Sequence, residues 1–262
     1  VPGLTAADFA LQENNVDLDV VSVRRGTPRP MSIALLVDNG GRVAAPAERD
    51  ALREGLAAFL RTLPPRHEVS IHTIRGRVRR VVGPTTDRGN LDDAIGRVRV
   101  GARARVGLLD SVREISEPRY DDDGPFPVVV LVLPNGDEER GGAGGDAELQ
   151  MARFAAAGFM AHAVVLEPRS ARGRAVGEER PVLGIARDLT RLLRGVYMTL
   201  TSRTQLSLGL SRLASRLAAG YERMSMQYRV SYVPSGGEDT QIMVGVRRSG
   251  VDVRPLPQLQ LQ

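Results

Sequence analysis

The chain has 262 residues, 42% of them hydrophobic, and a formal net charge of +5, enough for one aliphatic-cored domain with a small appendage. Cysteine is absent, which excludes disulfides, thiolate metal sites and cysteine nucleophiles, and no apolar run approaches the roughly 20 residues that span a bilayer. All 36 basic residues are Arg, interleaved with acids rather than gathered in one block, so the charge reads as ordinary solvated faces and nucleic acid is disfavoured as a partner.

Residues 8–12 and 16–23 alternate apolar with polar positions across Glu13, Asn14 and Asn15, the pattern of a hairpin of two half-buried strands. Pro28 and Pro30 then lead into an almost unbroken apolar run at 33–37, which predicts a strand buried on both faces of a parallel sheet. The run ends at Asp38, followed by a turn through Asn39, Gly40 and Gly41. A carboxylate at the C-terminal mouth of a central strand stands where open α/β sheets place their ligands. Pro46 opens a helix whose stripe is Leu52, Leu56, Phe59 and Leu63, and Pro64 and Pro65 stop it.

Strands paired as a hairpin are expected at 68–74 and 78–82, then helices at 91–98 and 107–115. Residues 128–133 repeat the fully buried pattern and end in Pro134, Asn135, Gly136 and Asp137. Two buried strands whose ends present polar groups side by side point to one shared site. A polar loop (137–145), a helix (148–157), a strand (161–166), a charged loop (168–181), a helix (183–193), a strand (196–200) and a long helix (205–224) complete the body. Alternation returns at 227–233 and 241–246 around a turn at Ser235, Gly236 and Gly237, which predicts a second hairpin. The expected organisation is a hairpin at 1–28, an α/β domain at 29–225, a hairpin at 226–254 that joins the first in one small antiparallel β-layer, and a tail at 255–262. The start at Val1 reads as trimming of a longer product.

At three stretches the chain resembles the von Willebrand factor type A domain. Bacterial members of that family often read LLLDTSGSM, TALYDAL and VVLSDGxD, and this chain has LLVDNGGRV at 35–43, VGLLDSV at 106–112 and VVLVLPNGDEE at 129–139. The similarity runs on to a Gly195-Val196-Tyr197 strand and to QYRVSYVP at 227–234. It implies an α/β, Rossmann-like fold with a mostly parallel six-stranded sheet and helices on both faces. Members hold a divalent cation through Asp-x-Ser-x-Ser, a Thr before the third helix and an Asp after the fourth strand. Here the first Asp is Asp38, the two Ser positions hold Gly40 and Arg42, the Thr position holds Val106 and the last Asp position holds Asn135. The resemblance therefore implies a degenerate metal site with Asp38 as its remnant. At about 4 Å and an effective dielectric of about 20, unit charges interact by roughly 4 kcal/mol, about double for a divalent ion. A guanidinium turned inward at Arg42 would repel Mg²⁺ and pair with Asp38 instead.

Other constellations are weaker. Residues 142–147 match a loose G-x-G-x-x-A pattern but do not follow a strand directly, as a dinucleotide fingerprint requires. His67, His72 and His162 lack metal spacing, and no nucleophile-elbow motif supports a triad drawn with Ser111, Asp110 and Asp38. Arg75, Arg77, Arg79 and Arg80 cluster on one hairpin, where positive charge guards an exposed strand edge. The expectation is thus a non-catalytic, metal-independent adhesion or scaffold module without a cofactor, binding another protein through Asp38, Asn39, Gly40, Arg42, Asn135 and Asp137. The alternative is Arg-rich binding to a polyanion or an anionic membrane surface. Oligomerisation stays open. An extracytoplasmic, secreted or periplasmic bacterial location is implied by the resemblance alone.

Overall fold

The computed structural model describes residues 3–25, 30–39, 46–75, 77–98, 107–115, 124–133, 151, 154, 159–166, 181–224, 228–234 and 242–251. The chain divides into two units, one of Val1–Pro28 with Glu222–Gln262 and one of Arg29–Tyr221.

The larger unit is organised on the aliphatic run at β4 (Met31–Asp38), which pairs in parallel with β5 (Glu68–Arg75) on one side and β7 (Phe126–Leu133) on the other. The sheet continues through β8 (Met160–Leu166) to β9 (Tyr197–Leu200), and β6 (Arg77–Thr85) closes the other edge as the one antiparallel strand. The order β6-β5-β4-β7-β8-β9 is a mostly parallel six-stranded sheet. Period-2 alternation sends Met31, Ile33, Leu35 and Val37 to one face. There they meet α1 (Pro46–Thr62), α2 (Arg88–Arg97) and α5 (Leu206–Met224). Leu36 points the other way, into a second cluster with Leu131, α3 (Leu108–Ile115) and α4 (Pro181–Leu192). Helices on both faces explain why β4, β7 and β8 are apolar nearly throughout. The expected helix at 148–157 lies mostly outside the described residues, though Phe154 packs with the α3 and α4 cluster.

Local chemistry fixes the joints. Arg53 of α1 donates to the carbonyls of Gly96 and Val98 at the end of α2, while Arg88 of α2 donates to those of Leu63 (3.1 Å) and Pro64 (3.0 Å) past the end of α1. Each helix thus caps the other's C-terminus with a cation, which offsets both orphan carbonyls and the dipole. Gly55 lets α1 approach Leu206 and Leu210 of α5 closely. At the turn from α4 into β9 a Cβ on Gly195 would stand 1.5 Å from the Ala161 carbonyl oxygen, so only glycine fits.

The smaller unit differs from the sequence expectation in its pairing. Residues 16–23 do not make one strand. The chain breaks at Asp19 into β2 (Val16–Leu18) and β3 (Val20–Arg25), which belong to different sheets. β1 (Phe9–Glu13) turns into β2 through Asn14 and Asn15, whose φ values of 50° and 66° give the doubly left-handed turn favoured by Asn. The two C-terminal strands, β10 (Tyr228–Tyr232) and β11 (Ile242–Val246), form no hairpin with each other among the described residues. Instead β11 pairs with β1 and β10 with β3, so the small antiparallel layer does join the two chain ends, but through sheets of order β11-β1-β2 and β10-β3 and not through two hairpins laid side by side. Phe9 and Tyr228, with ring centroids 6.0 Å apart, join the inner faces of the two sheets. Among the described residues each C-terminal strand takes its hydrogen-bonded neighbour from the N-terminal segment.

Candidate functional site

The sheet order makes β4 and β7 the place where the winding reverses, since the chain runs from β4 to β5 on one side and from β7 to β8 on the other. In such sheets the strand ends part at that point and leave a crevice at their C-terminal mouth. Val37 is in register with Val132, and Asp38 is level with Ile74 of β5. Asp38 is therefore the last residue of β4 at the switch point, partly buried, and alternation puts it on the α3 side of the sheet. Asn39 follows at 4% exposure. Gly40, Arg42, Asn135 and Asp137 lie outside the described residues, as do Val106 and the loops that carry them. The structure thus brings together the two strand ends that carry the expected site residues.

The histidines are structural joints. His67, fully buried, accepts a hydrogen bond at Nδ1 from the Met31 backbone N–H (3.0 Å), tying the start of β4 to the start of β5, and Tyr221 meets its ring edge-on at 4.8 Å. His162 lies within β8 and accepts at Nδ1 from the Val196 N–H (3.0 Å), which holds the chain entering β9. The triad drawn with Ser111 does not form. The Ser111 hydroxyl donates to the Gly107 carbonyl one turn back (2.9 Å), and Asp110 pairs with Arg113 at 3.3 Å.

One polar pair was not singled out from the sequence. Ser70 and His72 of β5 lie two residues apart on one face, both buried, with Oγ and Nε2 3.1 Å apart. Ser-x-His inside a strand is the signal that could have found them. Their surroundings oppose nucleophilic catalysis. Burial, then the Arg80 guanidinium, pushes the His72 imidazole down to about 4, whereas a general base must accept a proton near working pH.

No family model matches the chain, and no curated protein matches it. Solved structures do. The conserved hypothetical protein BatB from Bacteroides thetaiotaomicron superposes with a TM-score of 0.55 at 11% identity, covering 72% of this chain and 99% of that one. A von Willebrand factor type A protein from Catenulispora acidiphila gives 0.56 at 14% identity, over 83% of this chain and 51% of its own. An aerotolerance-related membrane protein from Bacteroides fragilis gives 0.52 at 10% identity, over 71% and 99%. The chain thus spans nearly all of the two Bacteroides proteins and about half of the Catenulispora one. At these identities the likeness is one of fold, and it agrees with the strand order and the helices on both faces. This chain has the fold of a von Willebrand factor type A domain.

Proposed function

We propose that the protein is a non-catalytic interaction module that binds another protein at the switch-point mouth, through Asp38, Asn39, Gly40, Arg42, Asn135 and Asp137. The observation that supports this reading most is the parallel pairing of β4 with β7, which sets Asp38 beside the strand end that leads to Asn135 and Asp137. No catalytic step is assigned. The donor set does not fit a divalent cation. Mg²⁺ wants near-octahedral oxygen ligands including carboxylates, and of the five ligand positions Asp38 alone carries one, with Gly40 and Val106 offering no side-chain oxygen. Binding is therefore metal-independent and needs no cofactor. We place the protein outside the cytoplasm, in the envelope or beyond it. The fold is shared with a protein named as a membrane protein, and no described helix here is long and apolar enough to cross a bilayer.

The alternative, binding of a polyanion or an anionic membrane surface by the β5–β6 arginines, draws on Arg79 and Arg80, exposed on the edge strand. Positive charge there also blocks strand addition, so it supports the alternative less than the switch point supports the first reading. The test is a photo-crosslinking residue placed at Arg42 or Asp137 in the native source, since Asn39 is itself buried, with Asp93 on α2 as the control position. One partner should be captured from 42 and 137 but not 93, with or without a chelator. Capture that needs Mg²⁺, or equal capture from 93, would overturn the reading. Calorimetry with Mg²⁺, Mn²⁺ or Ca²⁺ should likewise show no saturable heat that Asp38→Ala removes.

A further inference from the structure

The β10–β3 sheet of the smaller unit has an outer face whose charge arrangement works against its own stability. Cross-strand partners share a face, and Arg24 of β3 stands directly opposite Arg229 of β10, both exposed. Directly opposed residues have Cβ atoms about 5 Å apart, and like charges so placed repel. Neither strand contains an acid, since they read VVSVRR and YRVSY, and among the described residues neither Arg24 nor Arg229 pairs with a carboxylate. Ser22 and Ser231 lie next along the same face. The register then shifts, with Ser231 opposite Ser22 and Tyr232 opposite Val20, so Val21 is an extra residue bulged outward, 64% exposed. Val233, one step beyond Tyr232, is 62% exposed. The face thus runs from two opposed guanidiniums, through two hydroxyls, to two bare isopropyl groups.

Edge protection does not account for this. Charges staggered along the two strands would serve that purpose without the repulsion of a directly opposed pair. Two guanidinium forks side by side offer convergent donors to phosphate oxygens. Aliphatic side chains next to them gain by entering the region below a layer of phosphates, whereas beside a soluble polyanion they would stay in water. We propose that the outer face of β3 and β10 docks on an anionic lipid bilayer, with Arg24 and Arg229 at the phosphates and Val21 and Val233 in the interfacial layer. This surface is independent of the switch-point mouth and of the β5–β6 arginines.

The full chain should co-sediment with vesicles of phosphatidylglycerol and phosphatidylcholine but not of phosphatidylcholine alone, and less as salt shortens the Debye length from about 30 Å at 0.01 M to about 8 Å at 0.15 M. A basic residue near an anionic surface contributes roughly fivefold in affinity, so Arg24→Gln with Arg229→Gln should bind about thirtyfold more weakly. Arg229→Glu separates folding from docking. It places an opposite charge across from Arg24 and should melt no lower than the parent, yet lose vesicle binding. Val21→Ser with Val233→Ser should also weaken binding. Arg79→Gln with Arg80→Gln should leave it unchanged. The proposal is overturned by absence of co-sedimentation, by a loss equal in the Arg79/Arg80 variant, or by full binding of Arg229→Glu. Displacement by inorganic phosphate beyond that by chloride of matched ionic strength would overturn it too, since it would mark a discrete oxyanion site.

Discussion

Individual side chains carry two testable consequences. Burial pushes His72 and His162 each from 6.5 down to about 4, with Arg80 adding to the effect at His72. The unfolded chain titrates both near 6.5, so it binds more protons than the folded chain between about 4 and about 6.5. Stability is therefore complete above about pH 6.5 and falls as pH drops toward about 4, by at most roughly 3 kcal/mol for each histidine. Denaturant midpoints measured across that range should decline, and His72→Gln should flatten part of the decline. Gly195 gives the second. Its missing Cβ makes room for the Ala161 carbonyl, a backbone atom that cannot turn aside. Gly195→Ala should destabilise the chain by about 3 kcal/mol in chemical denaturation, whereas the same change at Gly184, with nothing within 4 Å of its Cβ position, should stabilise α4 slightly.

Among the elements, the strands of the smaller unit depend on partners more than two hundred residues away. β11 pairs with β1 from Glu13↔Ile242 to Phe9↔Val246, and β10 pairs with β3. Deleting residues 1–24 removes both partners at once. Amide exchange at 228–232 and 242–246 should then lose its protection, because neither strand retains a neighbour among the described residues. Retained protection would mean that β10 and β11 pair with each other once released, as the hairpin read from sequence supposes. The helices of the larger unit are less exposed to such loss, since α1 and α2 cap one another through Arg53 and Arg88.

For the molecule as a whole, both buried aliphatic clusters fall within residues 31–221. A fragment of residues 29–221 contains every strand of the six-stranded sheet and should unfold cooperatively, with amide protection kept along β4, β7 and β8. A gradual transition or loss of that protection would show that these clusters do not suffice. No contiguous fragment can hold the smaller unit, because its two sheets draw strands from both chain ends.

The sequence by itself determined the α/β body. Apolar runs at 33–37 and 128–133, the stripe from Leu52 to Leu63 and the stripe of Leu206, Leu210, Leu213 and Leu217 on α5 are local periodicities, and burial on a sheet face or helix side follows from residues two to four positions apart. It also located the mouth beside Asp38, because a carboxylate ending a buried strand has few other places to be. Which strands the chain ends join was decided by tertiary structure, since β10 and β11 carry the same alternation whether they meet each other or meet β3 and β1. The opposition of Arg24 to Arg229, the grip of His67 on Met31 and the closeness of Gly195 to Ala161 are likewise products of register and path. Each joins residues whose own neighbourhoods hold no trace of the partner, because pairing energy depends on what the whole chain brings alongside.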